Sequence, residues 1–200
     1  MSKTITTSAY GFFLLSPSVL DCFLKKKRIR KQNLLDLFQR NQDLFREVCI
    51  EQHIVLPLTE MGNYNYLLFI NEQMQSLSHW ENIYTYDGLQ LEAGIDGLWI
   101  VSLEFFEHWK KLKEQLKGVT EISYIQKSGP HLTPTLYYYA HHINTPPGTK
   151  LISIKGFANR TATRNQTENV AALEISVSEG CENTNNHMLT MANFNIEPHL

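Results

Sequence analysis

The stretch Ile83-Tyr84-Thr85-Tyr86-Asp87-Gly88-Leu89-Gln90-Leu91-Glu92-Ala93-Gly94-Ile95-Asp96-Gly97-Leu98-Trp99-Ile100-Val101-Ser102-Leu103 decides the fold class of this chain. Three runs of strand composition, Ile83 to Tyr86, Leu89 to Glu92 and Leu98 to Leu103, are separated by turn residues, two of them the Asp-Gly pair favoured in tight hairpins. The pattern predicts an antiparallel meander. Directly after it, Phe105, Trp109, Leu112 and Leu116 recur at steps of three or four within Glu104 to Lys117, and Gly118 supplies a stop. A helix there can lay its apolar stripe on the sheet. Hairpins followed by a helix define an α+β fold, expected as an antiparallel sheet flanked by two or three helices.

Upstream, Tyr10 to Leu15 reads as a short strand, and Ser16-Pro17 as a helix start, with Ser as N-cap and Pro at the first helical position. That helix is expected to reach about Lys26. A second, from about Asn33 to Val48 with a break near Asn41, follows from Leu34, Leu37, Phe38, Leu44, Phe45 and Val48. His53 to Leu58 is extended, and Pro57 confines it to a sheet edge or strand end; Tyr64 to Ile70 is a further strand. Downstream, Val119 to Gln126, Leu136 to His141, Lys150 to Phe157 and Ala172 to Ser178 have strand composition, and Met188 to Ile196 is expected to add a last one. Ala158 to Val170 reads as a long hairpin loop. With 200 residues the chain is expected to be a single α+β domain over 1–200, helical at about 16–48 and sheet-rich beyond.

Composition narrows the function classes. The chain is 42% hydrophobic and 19% charged, enough to build a core and too apolar for a disordered chain. No uninterrupted apolar run reaches the roughly 18 residues of a membrane-spanning helix. Lys3 followed by Ala9 to Leu15 imitates a secretion signal, but Asp21 and a basic run stand where cleavage would fall, so a cytoplasmic protein is expected. Cys22, Cys49 and Cys181, odd in number and without a CxxC pair, fit buried thiols in a reducing compartment. The Asn159-Arg160-Thr161 and Asn165-Gln166-Thr167 triplets then have no consequence as glycosylation acceptors.

The net charge of −2 hides an asymmetry. Lys25, Lys26, Lys27, Arg28, Arg30 and Lys31 place six of the 18 basic residues in seven positions without an acid. This basic island is expected at an exposed helix flank or connection, where it fits a solvated surface or an acidic protein partner. Nucleic acid ranks last, because phosphate-backbone affinity needs a broader basic face.

Motifs of catalysis are missing. There is no Gly-x-Ser-x-Gly elbow, phosphate loop or dinucleotide glycine cluster, and no metal or cofactor is expected. His141 and His142 are adjacent, so on a strand they point to opposite faces and do not share a metal. Glu104 and His108 lack the second histidine of a zinc helix, and Cys49 with His53 reads as a buried cysteine near a helix end. Tyr84, Tyr86 and the triplet Tyr137, Tyr138, Tyr139 are a different matter. Three successive tyrosines put at least one on each face of a sheet, and exposed tyrosine is a frequent interface anchor.

The order of these features resembles the layout of bacterial immunity proteins of polymorphic toxin systems. The likeness is carried over about residues 34 to 157 by Leu37-Phe38 and Phe45, Ile54-Val55-Leu56-Pro57-Leu58, Tyr66, Trp80, Gly88-Leu89-Gln90-Leu91, Gly97-Leu98-Trp99-Ile100, Trp109, and Pro146-Pro147-Gly148 leading into Leu151-Ile152-Ser153-Ile154. It implies a small cytoplasmic α+β protein that binds one cognate toxin domain stoichiometrically and blocks it, with no catalysis of its own. The basic island departs from the acidic character common among immunity proteins against nucleases, which leaves the toxin class open. The expected contact residues are Lys26, Arg28, Arg30, Tyr84, Tyr86, Tyr138, Asn159 and Arg160. Two alternatives stand beside this: a hydrolase with a site near His141 and His142, and a nucleic-acid-binding regulator acting through Lys25 to Lys31.

Overall fold

The computed structural model describes residues 3–7, 9–62, 65–74, 79–126, 135–161, 170–180 and 185–196. Its strands are β1 (Lys3–Thr6), β2 (Gly11–Leu15), β3 (Val55–Thr59), β4 (Asn65–Ile70), β5 (Trp80–Ala93), β6 (Leu98–Ser102), β7 (Glu121–Gln126), β8 (Thr135–Ile143), β9 (Gly148–Asn159) and β10 (Ala171–Glu179). They form two five-stranded sheets, ordered β1-β4-β10-β9-β5 and β3-β2-β6-β8-β7. All pairings are antiparallel except β4 with β10. The helices are α1 (Pro17–Lys26), α2 (Leu34–Arg40), α3 (Gln42–Arg46) and α4 (Trp109–Gln115), with a π turn at Glu47–Glu51 and 3-10 segments at Leu103–His108 and Asn186–Thr190. The fold is α+β.

Burial explains the layering. The inner faces of the two sheets share one core, with Ile152, Ile154, Leu173 and Ile175 meeting Phe12, Leu14, Leu56 and Ile100. The opposite face of the β2-containing sheet carries Phe13, Leu15, Val55, Trp99 and Val101 into a second core closed by Leu20, Leu24, Phe38, Phe106 and Leu112 from the helices. That sheet is therefore the middle of three layers. Its strands β2 and β6 are buried at every residue and read as continuous apolar runs, Gly-Phe-Phe-Leu-Leu and Leu-Trp-Ile-Val-Ser. By contrast β9, with one face outward, alternates along its length. At roughly 1.5–3 kcal/mol for each fully buried large apolar side chain, the doubly covered sheet is where burial stabilises most per residue.

The expected meander is corrected in two respects. Asp87-Gly88 is not a hairpin turn: β5 runs unbroken through it, with a register shift against β9 between Tyr86 and Leu89 and Gly88 at φ +70°. An extra residue in the left-handed region is a β-bulge, and glycine adopts it without steric cost. Asp96-Gly97 does turn, but β5 and β6 enter different sheets, so the turn carries the chain from the outer layer to the middle one. The tip of that turn has a second task. Asp96 accepts hydrogen bonds from the Ser18 backbone N–H (2.8 Å), Ser16 Oγ (2.6 Å) and Ser18 Oγ (2.5 Å), so the N-terminus of α1 is capped by a carboxylate from 78 residues away, while Ser16 makes no cap bond of its own.

The break near Asn41 is present. Asn33 and Asn41 each cap a short helix, accepting from Asp36 N and Leu44 N at 2.8 and 3.0 Å. The helix expected over Glu104 to Lys117 begins later: residues Leu103–His108 are 3-10, His108 leaves helical geometry, and Trp109 N donates to Gln32 O at 3.0 Å. Glu104 and His108 therefore do not share an α-helical face. β3 lies at a sheet edge, one of the two places open to Pro57. The strand expected at Met188 to Ile196 is absent; Asn186–Thr190 is a 3-10 turn instead. Within the expected loop Ala158 to Val170, residues 162–169 lie outside the described residues, as do Tyr64 and Cys181. No helix among the described residues is long and apolar enough to cross a membrane.

Candidate functional site

The basic island closes α1. Ile29 N donates to Leu24 O (2.9 Å) and Arg28 N to Lys25 O (3.0 Å), with Arg28 in the left-handed region at φ +58° and Ile29 packed on the helical core. This is the left-handed helix C-cap usually built on glycine, here built on an arginine. Alternate members of the island are neutralised within the molecule. Lys25 pairs with Asp21 (2.9 Å), Lys27 with Glu47 (2.6 Å) and Lys31 with Asp36. Lys26, Arg28 and Arg30 are exposed and form no ion pair among the described residues.

Tertiary structure adds charges that the sequence reading did not connect. Helix α4 lies beside α1, joined to it by the ion pair between Lys113 and Asp21, and brings Lys110 and Lys113 to the island. The signal was present in the run Lys110-Lys111-Leu112-Lys113, read only for its apolar residues. Lys110 and Lys111 are also exposed and without an ion pair among the described residues. Asp21 sits between two clefts. One, about 200 Å³, is lined by Lys25, Arg30, Lys31, Lys110 and Lys113 over Trp109. The other, about 560 Å³, lies beyond the Asp21–Lys113 pair and is lined by Ser18, Asp96, Trp99, Lys117 and His142 among others. Burial pushes the Asp21 carboxyl up, but hydrogen bonds and charge from Lys113 and Lys25 outweigh it and hold the group below its usual range.

The remaining expected contact residues do not join this surface. Tyr84, Tyr86 and Asn159 belong to the outer sheet, on the far side of the middle layer from the helices, and Arg160 follows the end of β9. Tyr84 packs within its sheet: its ring lies over Gly156, where a Cβ would stand 2.2 Å from Tyr84 Cζ, and meets Phe194 edge-on at 5.6 Å. Burial raises its hydroxyl well above the usual value, and Oη has no partner among the described residues. Tyr86 packs on Phe194 at 5.0 Å, and its hydroxyl accepts from Asn193 N. Arg160 pairs with Glu81, and Asn159 Oδ1 accepts from Thr161 N.

Tyr138 lies elsewhere again. The register of β8 against β7 skips Tyr139 between the pairs Ile122↔Ala140 and Ser123↔Tyr138. This bulge leaves Tyr137 and Tyr139 on the helix side, where Phe105, Tyr139, Tyr124 and Tyr137 form a ladder of rings, and turns Tyr138 to the other side over His141 at 5.3 Å. Both faces of the tyrosine triplet are used, as alternation requires. On the edge hairpin, Tyr124, Ile125 and Leu136 are exposed apolar residues that the sequence reading did not single out.

The histidines part as expected. His141 is buried, with Nε2 2.7 Å from Thr4 O; His142 turns to the larger cleft, with Nε2 2.9 Å from Asp96 O and its ring on Trp99. Ser18 in that cleft donates to Asp96, not to a histidine, so no serine-histidine nucleophile pair is assembled there. Among the described residues no group of three or more His, Cys, Asp and Glu side chains is placed to hold a metal ion. Cys49 is buried, and burial pushes its thiol far above the usual value, which suits packing. Comparison with protein-family models, curated proteins and solved structures finds no match, so the reading of the site rests on its own geometry.

Proposed function

We infer that this chain is an inhibitor of the immunity type, which binds one toxin domain stoichiometrically and blocks it, docking through the basic face formed by the end of α1 and by α4. One observation carries the reading: Lys26, Arg28 and Arg30 are held without counter-ions among the described residues on a capped, hydrogen-bonded connection while their neighbours Lys25, Lys27 and Lys31 are paired. Exposed cations on a fixed backbone give an acidic partner both steering and register. The partner is expected to present carboxylates at the contact and to lose its activity at one-to-one stoichiometry.

The test is capture of the tagged chain from its own cells together with the products of neighbouring genes, followed by assay of the captured protein's activity. A toxin domain inhibited at one equivalent, and released by the charge reversal K26E/R28E/R30E, supports the reading. Absence of an inhibited partner, or inhibition undiminished by the reversal, overturns it. A second reading gains from the lysines of α4, which broaden the basic face beyond the island: a nucleic-acid-binding regulator. It predicts capture of nucleic acid with affinity falling steeply and log-linearly with salt.

A further inference from the structure

We propose that the cleft between the end of α1, the connection 29–32 and α4 is a specific site for an oxyanion, a phosphate group or a carboxylate. Five cationic side chains, Lys25, Arg30, Lys31, Lys110 and Lys113, line a space of about 200 Å³, against a single lining carboxylate, Asp21. Asp21 is itself bonded by two of the five, and Lys31 is matched by Asp36 outside the cleft. Arg30 and Lys110 remain without an ion pair among the described residues. Like charges gathered in one concavity repel each other, and a bound anion converts that repulsion into charge-assisted hydrogen bonds.

Trp109 forms part of the wall. Trp109, 4% exposed, lines the cleft, and its indole Nε1 is buried without a hydrogen-bond partner among the described residues. That N–H is closed to solvent, so the ring serves as wall of the cleft and its N–H as a reporter of what binds there. Gln32 is also fixed there, its carbonyl accepting from Trp109 N. A space of about 200 Å³ is large enough for an oxyanion group. As the seat of an acidic side chain of a partner, this site rests on the docking reading above; as an anion site it is measurable without any partner.

The test uses the full chain and inorganic phosphate, exchanged for chloride at constant ionic strength and followed at the Trp109 indole N–H in a proton–nitrogen correlation spectrum. A saturating one-to-one shift is expected, weakened about tenfold or more in R30A/K110A and unchanged in R46A, whose side chain lies outside the cleft. Thermal melting of each variant separates loss of binding from loss of fold. A linear, non-saturating response, or equal affinity in R30A/K110A, overturns the site whatever partner the chain captures. A short oligoglutamate peptide that displaces phosphate assigns the anion to an acidic protein, and failure to displace it assigns the site to a phosphorylated small molecule.

Discussion

Asn186 carries a prediction that depends on three hydrogen bonds. Its side chain is 1% exposed; Oδ1 accepts from Gln90 N at 2.6 Å, and Nδ2 donates to Gln90 O at 3.0 Å and to Cys49 O at 2.9 Å. A side-chain amide here occupies the place of a neighbouring strand on the open edge of β5 and ties that edge to the π turn. Replacing it with alanine strands a buried N–H and two buried carbonyls. At roughly 1–3 kcal/mol for each orphaned group, partly relieved where water enters, N186A is expected to lose about 4 kcal/mol. For a chain of this length, at about 2–4 °C per kcal/mol, the melting temperature falls on the order of 10 °C.

N186D is the sharper test. It keeps the acceptor for Gln90 N but aims a carboxylate oxygen at two carbonyls, so at neutral pH it is expected to be at least as unstable as N186A. Burial and those carbonyls favour the protonated acid, whose O–H can donate to one of them. The carboxyl value is then higher in the folded than in the unfolded chain, the fold binds more protons, and stability recovers as pH falls from the raised value toward about 4. Urea denaturation of the three proteins at neutral pH and near pH 5 reads this directly. An N186A loss under about 1 kcal/mol, or N186D without recovery relative to N186A at the lower pH, refutes the strand-mimic account.

Other perturbations separate structural from binding roles. R28G relieves the left-handed cost of about 1–2 kcal/mol at φ +58° against roughly 0.7 kcal/mol of added chain entropy, so it is expected to raise the denaturation midpoint slightly while weakening partner capture. Y84A, opening space over Gly156 and beside Phe194, is expected to cost about 3 kcal/mol in chemical denaturation and to leave partner affinity intact. Burial depresses the His141 imidazole below the usual histidine range, against the opposing pull of the Thr4 carbonyl and Glu121, with Lys3 adding to the depression. Below about pH 6.5 the unfolded chain takes up a proton that the fold refuses, so stability falls with pH down to the folded value. Midpoints at pH 7.5 and 5.5 should differ less in H141Q than in the natural chain; an equal difference excludes His141 as the source.

The sequence by itself determined the α+β class, the α1 start at Pro17, the break near Asn41, the confinement of β3 to a sheet edge or strand end, and the opposite facing of His141 and His142. Each is a local consequence: proline geometry, side-chain capping, and the alternation of a strand. It also exposed the basic island, because consecutive lysines and arginines need no fold to be seen. What it did not hold is which strands share a sheet. Asp87-Gly88 has the same local chemistry in a bulge as in a hairpin, and only the pairing of β5 with β9 on both sides of it decides between them. Likewise, the partner of Asp96 lies at residues 16 and 18, that of Gln90 at residue 186, and the lysines that complete the basic cleft lie about 80 residues from the island. Long-range pairing is set by burying two faces of one middle sheet at once, and that is a property of the packed layers that no short window of residues contains.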